Sequence, residues 1–285
     1  MDIKICSICN KNSNETIINK YTSKKDNKIY WNSTCKICKS LQDKLKYQNE
    51  IFRNNKIEQT SIYRNTELGF KSQMLHDAKK NKKLLFCDIS LDIINKLQNF
   101  QQNKCALTGI NLIWETKNPH QASIDRIDSS IGYIEDNIHL VILPINLMKL
   151  DYNINDFKNI LQIIKYTNNE NQEFIDIYNM YNTNKIFKKK IHNMFNKIKS
   201  RKYKVSININ DILNKLQKCN MICNLSGVKM TYVKNNWNII SIDRIDSNKD
   251  YSIDNIQIIC WVLNCAKNEF NNDNIKQIIK HIKHF

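Results

Sequence analysis

The sequence predicts an α+β fold in several parts, and three observations predict it. Two Cys-x2-Cys pairs near the start, Cys6/Cys9 and Cys35/Cys38, have the spacing of a zinc ribbon or knuckle. Residues 105–149 recur without a gap at 223–267. Each copy runs as an alternating segment, a turn, a second apolar segment and a helical segment, with further helical sequence around them. The 285 residues therefore divide into a zinc-binding part at 1–45, a helical connector at 46–70, a first module at 71–165, a linker at 166–184 and a second module at 185–285.

The cysteine part comes first. Two residues between cysteines let both thiolates of a tight knuckle reach one tetrahedral Zn²⁺, and two knuckles leave no open position. Cys6, Cys9, Cys35 and Cys38 are thus expected to hold a structural zinc, which supplies folding energy that so short a unit cannot draw from its own core. Lys36, Lys39, Lys44 and Lys46 stand around the second pair and suit nucleic-acid contact, although a purely structural or protein-binding ribbon fits the same residues. Residues 41–65 read as a polar helix whose few apolar points are Leu41, Leu45 and Ile51.

The repeat organises the remainder. Seventeen positions of the 45 are identical, most of them polar, including the whole of Ser123–Ser129 against Ser241–Ser247. A shared fold preserves apolar spacing; shared Asp, Arg, Asn and Lys suggest a shared site. Upstream, Asp92–Gln98 matches Asp211–Gln217, each Asp placed as a helix N-cap. Basic stretches precede both, Lys79–Lys83 in one copy and Lys188 to Lys202 in the other. Within the copies, Ala122–Ile127 alternates like a strand, Asp128–Gly132 reads as a turn with Gly132 in a left-handed conformation, and Asn137–Val141 and Asn255–Ile259 read as second strands. On the helix that follows, with Pro144 in its first turn, Asn146 and Lys149 share a face. A short helix is expected at 173–180 in the linker.

Charge bears on partners. Lys and Arg number 44 against 27 Asp and Glu, a net charge of +17 that attracts polyanions, nucleic acid above all. A lysine-rich solvated surface produced by AT-rich codons accounts for part of it, since Asn, Lys and Ile dominate while Gly (4) and Pro (2) are scarce. No apolar run reaches the ~18 residues of a membrane span, and Met1–Cys6 has no signal-peptide core. The expectation is a soluble intracellular protein without a membrane partner or a small-molecule cofactor. The codon bias fits either a large DNA virus, its protein acting in host cytoplasm or nucleus, or an AT-rich protist.

These residues resemble the HNH (His-Me finger, ββα-metal, treble-clef-related) endonucleases of phages and giant viruses, through Cys105-Ala-Leu-Thr-Gly109, Cys223-Asn-Leu-Ser-Gly227 and the two Ser-Ile-Asp-Arg-Ile-Asp segments. The resemblance covers roughly two-thirds of the chain and implies two tandem ββα modules with flanking helices. It implies that Asp125 and Asn146, and likewise Asp243 and Asn264, hold Mg²⁺ or Mn²⁺; that Asn137 and Asn255 brace the loop; and that Lys149 and Lys267 face phosphate. The family's catalytic His is replaced by Arg126 and Arg244, which stay protonated and so act as phosphate clamps rather than bases. Metal-bound water, Asp128/Asp246 or, in the first copy alone, His139 would then supply the base. The family's own zinc knuckle is eroded to Cys105 and Cys223, with Thr108 and Ser226 at the second positions; Cys219, Cys223, Cys260 and Cys265 read either as a second zinc site or as buried thiols. The activity implied is metal-dependent hydrolysis of phosphodiesters in DNA, and the partners implied are DNA and, secondarily, RNA. The alternatives are a catalytically inactive, nuclease-derived nucleic-acid-binding protein and a zinc-dependent assembly factor whose charge is incidental.

Overall fold

The computed structural model of the chain describes residues 4–12, 18, 20–22, 29–48, 50–80, 86–167 and 173–284. Lys82 and Lys83 of the first basic stretch lie outside them. The chain forms two units, Met1–Arg64 and Asn65–Phe285.

In the first unit, Cys6 opens a tight turn in which its N–H donates to the Lys11 carbonyl (2.9 Å) and its own carbonyl accepts from Asn10 N–H (3.0 Å). Asn10 closes that turn at φ 58°, a conformation that asparagine tolerates better than most residues. Strands β1 (Lys20–Thr22) and β2 (Ile29–Trp31) pair antiparallel between the two cysteine pairs. Helices α1 (Lys36–Gln48) and α2 (Glu50–Arg64) follow. Among the described residues, the unit's buried apolar cluster holds Ile18 and three of the cysteines, Cys6, Cys35 and Cys38. Leu41 and Leu45 are exposed, and the side chain of Ile51 lies outside the described residues. The helical connector expected at 46–70 is divided: α2 belongs with the cysteines, whereas α3 (Glu67–Lys80) belongs to the second unit. Lys71 shows why. Its buried ammonium donates to Glu67, to Asn95 and to Gln98, the last two on the next helix, and this ties α3 to it.

The second unit contains the repeat. Its first half continues with α4 (Leu91–Phe100), β3 (Ala122–Arg126), β4 (Ile138–Ile142), α5 (Leu143–Lys149) and α6 (Ile154–Tyr166). Its second half has α7 (Ile177–Thr183), α8 (Lys185–Lys199), α9 (Ile209–Cys219), β5 (Ile240–Arg244), β6 (Ile256–Cys260), α10 (Trp261–Lys267) and α11 (Asn272–His284). Both hairpins are antiparallel with matching register: Asp125 faces His139, and Asp243 faces Gln257. Strand, strand and short helix thus fold twice in the same way.

Three local expectations are corrected. The caps of α4 and α9 are Ser90 and Asn208, whose side-chain oxygens accept from Ile93 and Asp211 N–H; Asp92 and Asp211 sit in the first turn, where Asp211 returns a bond to Asn208 N–H. Gly132 is not left-handed. A Cβ there would fall 2.0 Å from the Phe86 carbonyl oxygen, so the glycine serves a close backbone approach. The linker helix forms at Ile177–Thr183, capped by Asp176, later than expected.

One continuous hydrophobic core runs through both halves. The halves meet where α5 packs on α10 and α6 on α11. Each of these helices contacts its own counterpart, the pattern of an isologous interface between related subunits, here within one chain.

Candidate functional site

The four N-terminal cysteines converge. The sulfurs of Cys6, Cys9, Cys35 and Cys38 all lie within 4.8 Å of one another, the one such His/Cys/Asp/Glu group among the described residues. A tetrahedral ion with Zn–S bonds of about 2.3 Å sets its sulfurs about 3.8 Å apart, and the Cys9 and Cys35 sulfurs stand 3.8 Å apart. Backbone N–H groups of Cys9, Cys35 and Ile8 hold the Cys6 thiol down to about 6, whereas burial pushes Cys38 up to about 12. The donor set fits zinc.

The same turn recurs twice with one cysteine instead of two. Cys105 N–H donates to the Ile110 carbonyl (2.7 Å) and Gly109 N–H to the Cys105 carbonyl (2.9 Å); Cys223, Val228 and Gly227 repeat this at 2.9 and 2.9 Å. Gly109 and Gly227 (φ 68° and 78°) take the left-handed position that Asn10 holds in the first unit. Thr108 stands where a second ligand would fall, and its Oγ1 is the one buried side-chain oxygen or nitrogen without a partner among the described residues. Cys219, Cys223, Cys260 and Cys265 do not gather into a second four-thiol site. Instead Cys260 N–H donates to the Cys223 sulfur (3.4 Å). Burial opposes ionisation of Cys223, but bonds from the Cys260 thiol and from Ser226 bring it down to about 6.

The repeated polar site is built on the hairpin and the short helix behind it. Asn137 accepts from Asp128 N–H (2.9 Å) and donates to the carbonyls of Asp128 and Gly132 (3.0 Å each), so one side chain ties both ends of the turn. Asn255 does the same with Asp246 and Asp250. Arg126 donates to the Ser129 and Ile131 carbonyls and lies over the ring of Tyr133. Arg244 donates to the Lys249 carbonyl (2.8 Å) and stacks on Tyr203, with Cζ 3.5 Å from the ring centre. At the position where a histidine base was sought, the arginines therefore clamp the turn. Asp128 is held low by the hydroxyl and N–H of Ser130, and Asp246 by the N–H of Asn248.

Asp125 and Asp243 are buried, and every carboxylate oxygen has a partner. Asp125 Oδ2 meets His139 Nε2 at 2.7 Å and Oδ1 meets Lys149 Nζ at 3.3 Å. In the second copy Gln257 Nε2 donates to Asp243 Oδ2 (2.8 Å) and Lys267 Nζ to Oδ1 (3.4 Å). Burial pushes Asp243 above the usual carboxylate range. Lys149 and Lys267, expected at phosphate, have 0% exposed side chains and are anchored on the carbonyls of Arg126 and Arg244, each at 2.7 Å. Asn146 and Asn264 lie on the same helix faces. Their amides donate to Ser123 Oγ and the Ile124 carbonyl, and to Ser241 Oγ and the Ile242 carbonyl. A carbonyl only accepts, so each amide nitrogen is fixed there and the carboxamide oxygen turns away from the strand.

As a divalent-cation site this set is sparse. Each copy offers one carboxylate and one neutral carboxamide, with His139 beside Asp125 in the first copy, and the carboxylate is paired with an ammonium fixed within the fold. Mg²⁺ and Mn²⁺ are held by one or two carboxylates together with waters and substrate phosphates, and here would meet that ammonium at the same carboxylate.

The sequence pointed to Asp, Arg, Asn and Lys but gave no role to Ser123 and Ser241, although both are identical between the copies. It also gave none to Tyr203, which lies outside the repeat, or to Lys117, which differs from its counterpart Asn235. Comparisons with protein-family models, curated proteins and solved structures find no match for this chain. No helix among the described residues is long and apolar enough to cross a membrane.

Proposed function

We propose that this chain is a nucleic-acid-binding protein: a zinc-stabilised N-terminal unit followed by two HNH-like ββα modules that use the scaffold for backbone contact without metal chemistry. The observation that carries this reading is the buried lysine. Lys149 and Lys267 neutralise the conserved-in-both-copies carboxylates from inside, and they do so in the same geometry. What remains outside is a strongly basic surface, with net charge +17 and α8 presenting Lys185, Lys188, Lys189, Lys197 and Lys199. Such a surface attracts phosphate independently of sequence. Binding of labelled DNA and RNA by the zinc-loaded chain across a salt series, without Mg²⁺ or Mn²⁺, tests it. Affinity that falls steeply with salt is expected, and no measurable binding at low salt would refute it.

One observation favours a second reading, a Mg²⁺- or Mn²⁺-dependent endonuclease. The amide nitrogens of Asn146 and Asn264 are fixed on the strand, and among the described residues their carboxamide oxygens accept no hydrogen bond, in both copies alike. Metal-dependent nicking that disappears in Asp125→Ala/Asp243→Ala would support this reading against the first.

A further inference from the structure

The second copy's Asp243, Arg244 and Asn264 open onto a cavity of about 920 Å³, and its wall is completed from the first copy by Lys117, Gln121 and Leu143. Three properties of this cavity point to one class of ligand.

Its charge is positive. Lys117, Lys197, Arg201 and Arg244 face it against Asp243 and Glu269, and Asp243 is further neutralised by Lys267 from behind. Its wall is also aromatic. Tyr203 supports Arg244 on one ring face and keeps 40% of its surface exposed, and Trp261 lies under Lys197 Nζ at 5.0 Å. Its size falls within the ~300–1,000 Å³ range of ligand pockets. Cations that follow a phosphate backbone, beside aromatic faces on which bases stack, make the pattern of single-strand recognition.

We infer that this cavity binds single-stranded nucleic acid, with Lys117 of the first copy supplying a phosphate contact to the second copy's site. The inference rests on the nucleic-acid-binding reading above and names its substrate class. Lys117 is held in place by the local backbone: it has φ 63°, and its N–H donates to Gln121 Oε1 at 3.0 Å. Its counterpart in the second copy is Asn235, at φ 65°. The turn is therefore kept while the charge is not, and the contribution runs one way between the copies.

The test measures anisotropy of the full, zinc-loaded chain with a labelled thymidine homopolymer and with a mixed-sequence duplex of equal length, at one salt concentration. The single strand is expected to bind more tightly. Tyr203→Ala should weaken single-strand binding by roughly five- to a hundredfold, the effect of losing one base-stacking platform. Lys117→Ala, a change at an exposed side chain that leaves folding intact, should weaken it a few-fold and reduce the salt slope by about 0.7. Lys96→Ala, which removes an equally exposed charge outside the cavity, should do neither. Equal or tighter duplex binding, or equal losses on both ligands in the cavity variants, would overturn the single-strand assignment while leaving nucleic-acid binding in place. Failure to bind either ligand would refute the broader reading as well.

Discussion

Lys149 places its ammonium 3.3 Å from Asp125 Oδ1 and 2.7 Å from the Arg126 carbonyl, wholly shielded from solvent. The pair is built by the hairpin and the short helix together: Asp125 faces inward from β3, and Lys149 closes α5 three residues after Asn146. A charged group at 0% exposure is tolerated only with partners of this kind. Removing one member leaves the other buried and unpaired, so Lys149→Ala is expected to cost about 3–5 kcal/mol of stability, read from urea unfolding. Lys149→Met with Asp125→Leu should cost much less than the single change. Equal losses would show that the pair is not a unit.

Gly132 gives a steric prediction. A methyl group there meets the Phe86 carbonyl at 2.0 Å, and Gly132→Ala should destabilise the second unit by about 1–3 kcal/mol. A thermal midpoint unchanged from the parent would contradict this. In the second copy Asp250 occupies the corresponding position, and its carboxylate accepts from Lys204 N–H at 3.1 Å.

The zinc site predicts a local response to chelation. One zinc per chain should be found by elemental analysis. Cys6→Ser should lose it and make residues of the first unit protease-sensitive, because three of the four buried apolar side chains described there are the ligands themselves. Stoichiometric zinc in the variant would refute the assignment. The melting of the second unit should change little.

Lys190 supplies a pH dependence. Burial first, and then the Lys197 charge, push its ammonium down to about 8. The folded chain binds this proton more weakly than the unfolded chain, so the penalty is complete below pH 8 and is relieved as pH rises from about 8 to 10.5. Lys190→Met should gain on the order of 1 kcal/mol at neutral pH, discounted for its partial exposure, and the gain should shrink through that window. A constant difference between the two proteins across it would contradict the cause given.

How much of this was legible in the sequence depended on the kind of signal. The cysteine spacing located four sulfurs that do converge, because a two-residue gap dictates a knuckle. The exact repeat located two hairpins of equal register, since identical polar residues at a fixed offset require identical local geometry. The side on which Lys149 lies was not legible: helical spacing puts it on the face of Asn146 but does not say whether that face is solvent or core. Gly132 was misread because glycine serves both a left-handed turn and a close approach, and only Phe86, 46 positions earlier, decides between them. The cavity's Lys117 was invisible for a related reason, since it acts across the interface between the copies.

The central claim is that the chain holds nucleic acid without metal-dependent cleavage. Incubation of supercoiled plasmid with the full chain and Mg²⁺ or Mn²⁺, resolved on native and denaturing gels beside Asp125→Ala/Asp243→Ala, tests it most directly. The account predicts retarded plasmid that stays supercoiled once the protein is removed, with or without metal. Nicked or linear plasmid that needs the metal and both aspartates would contradict it.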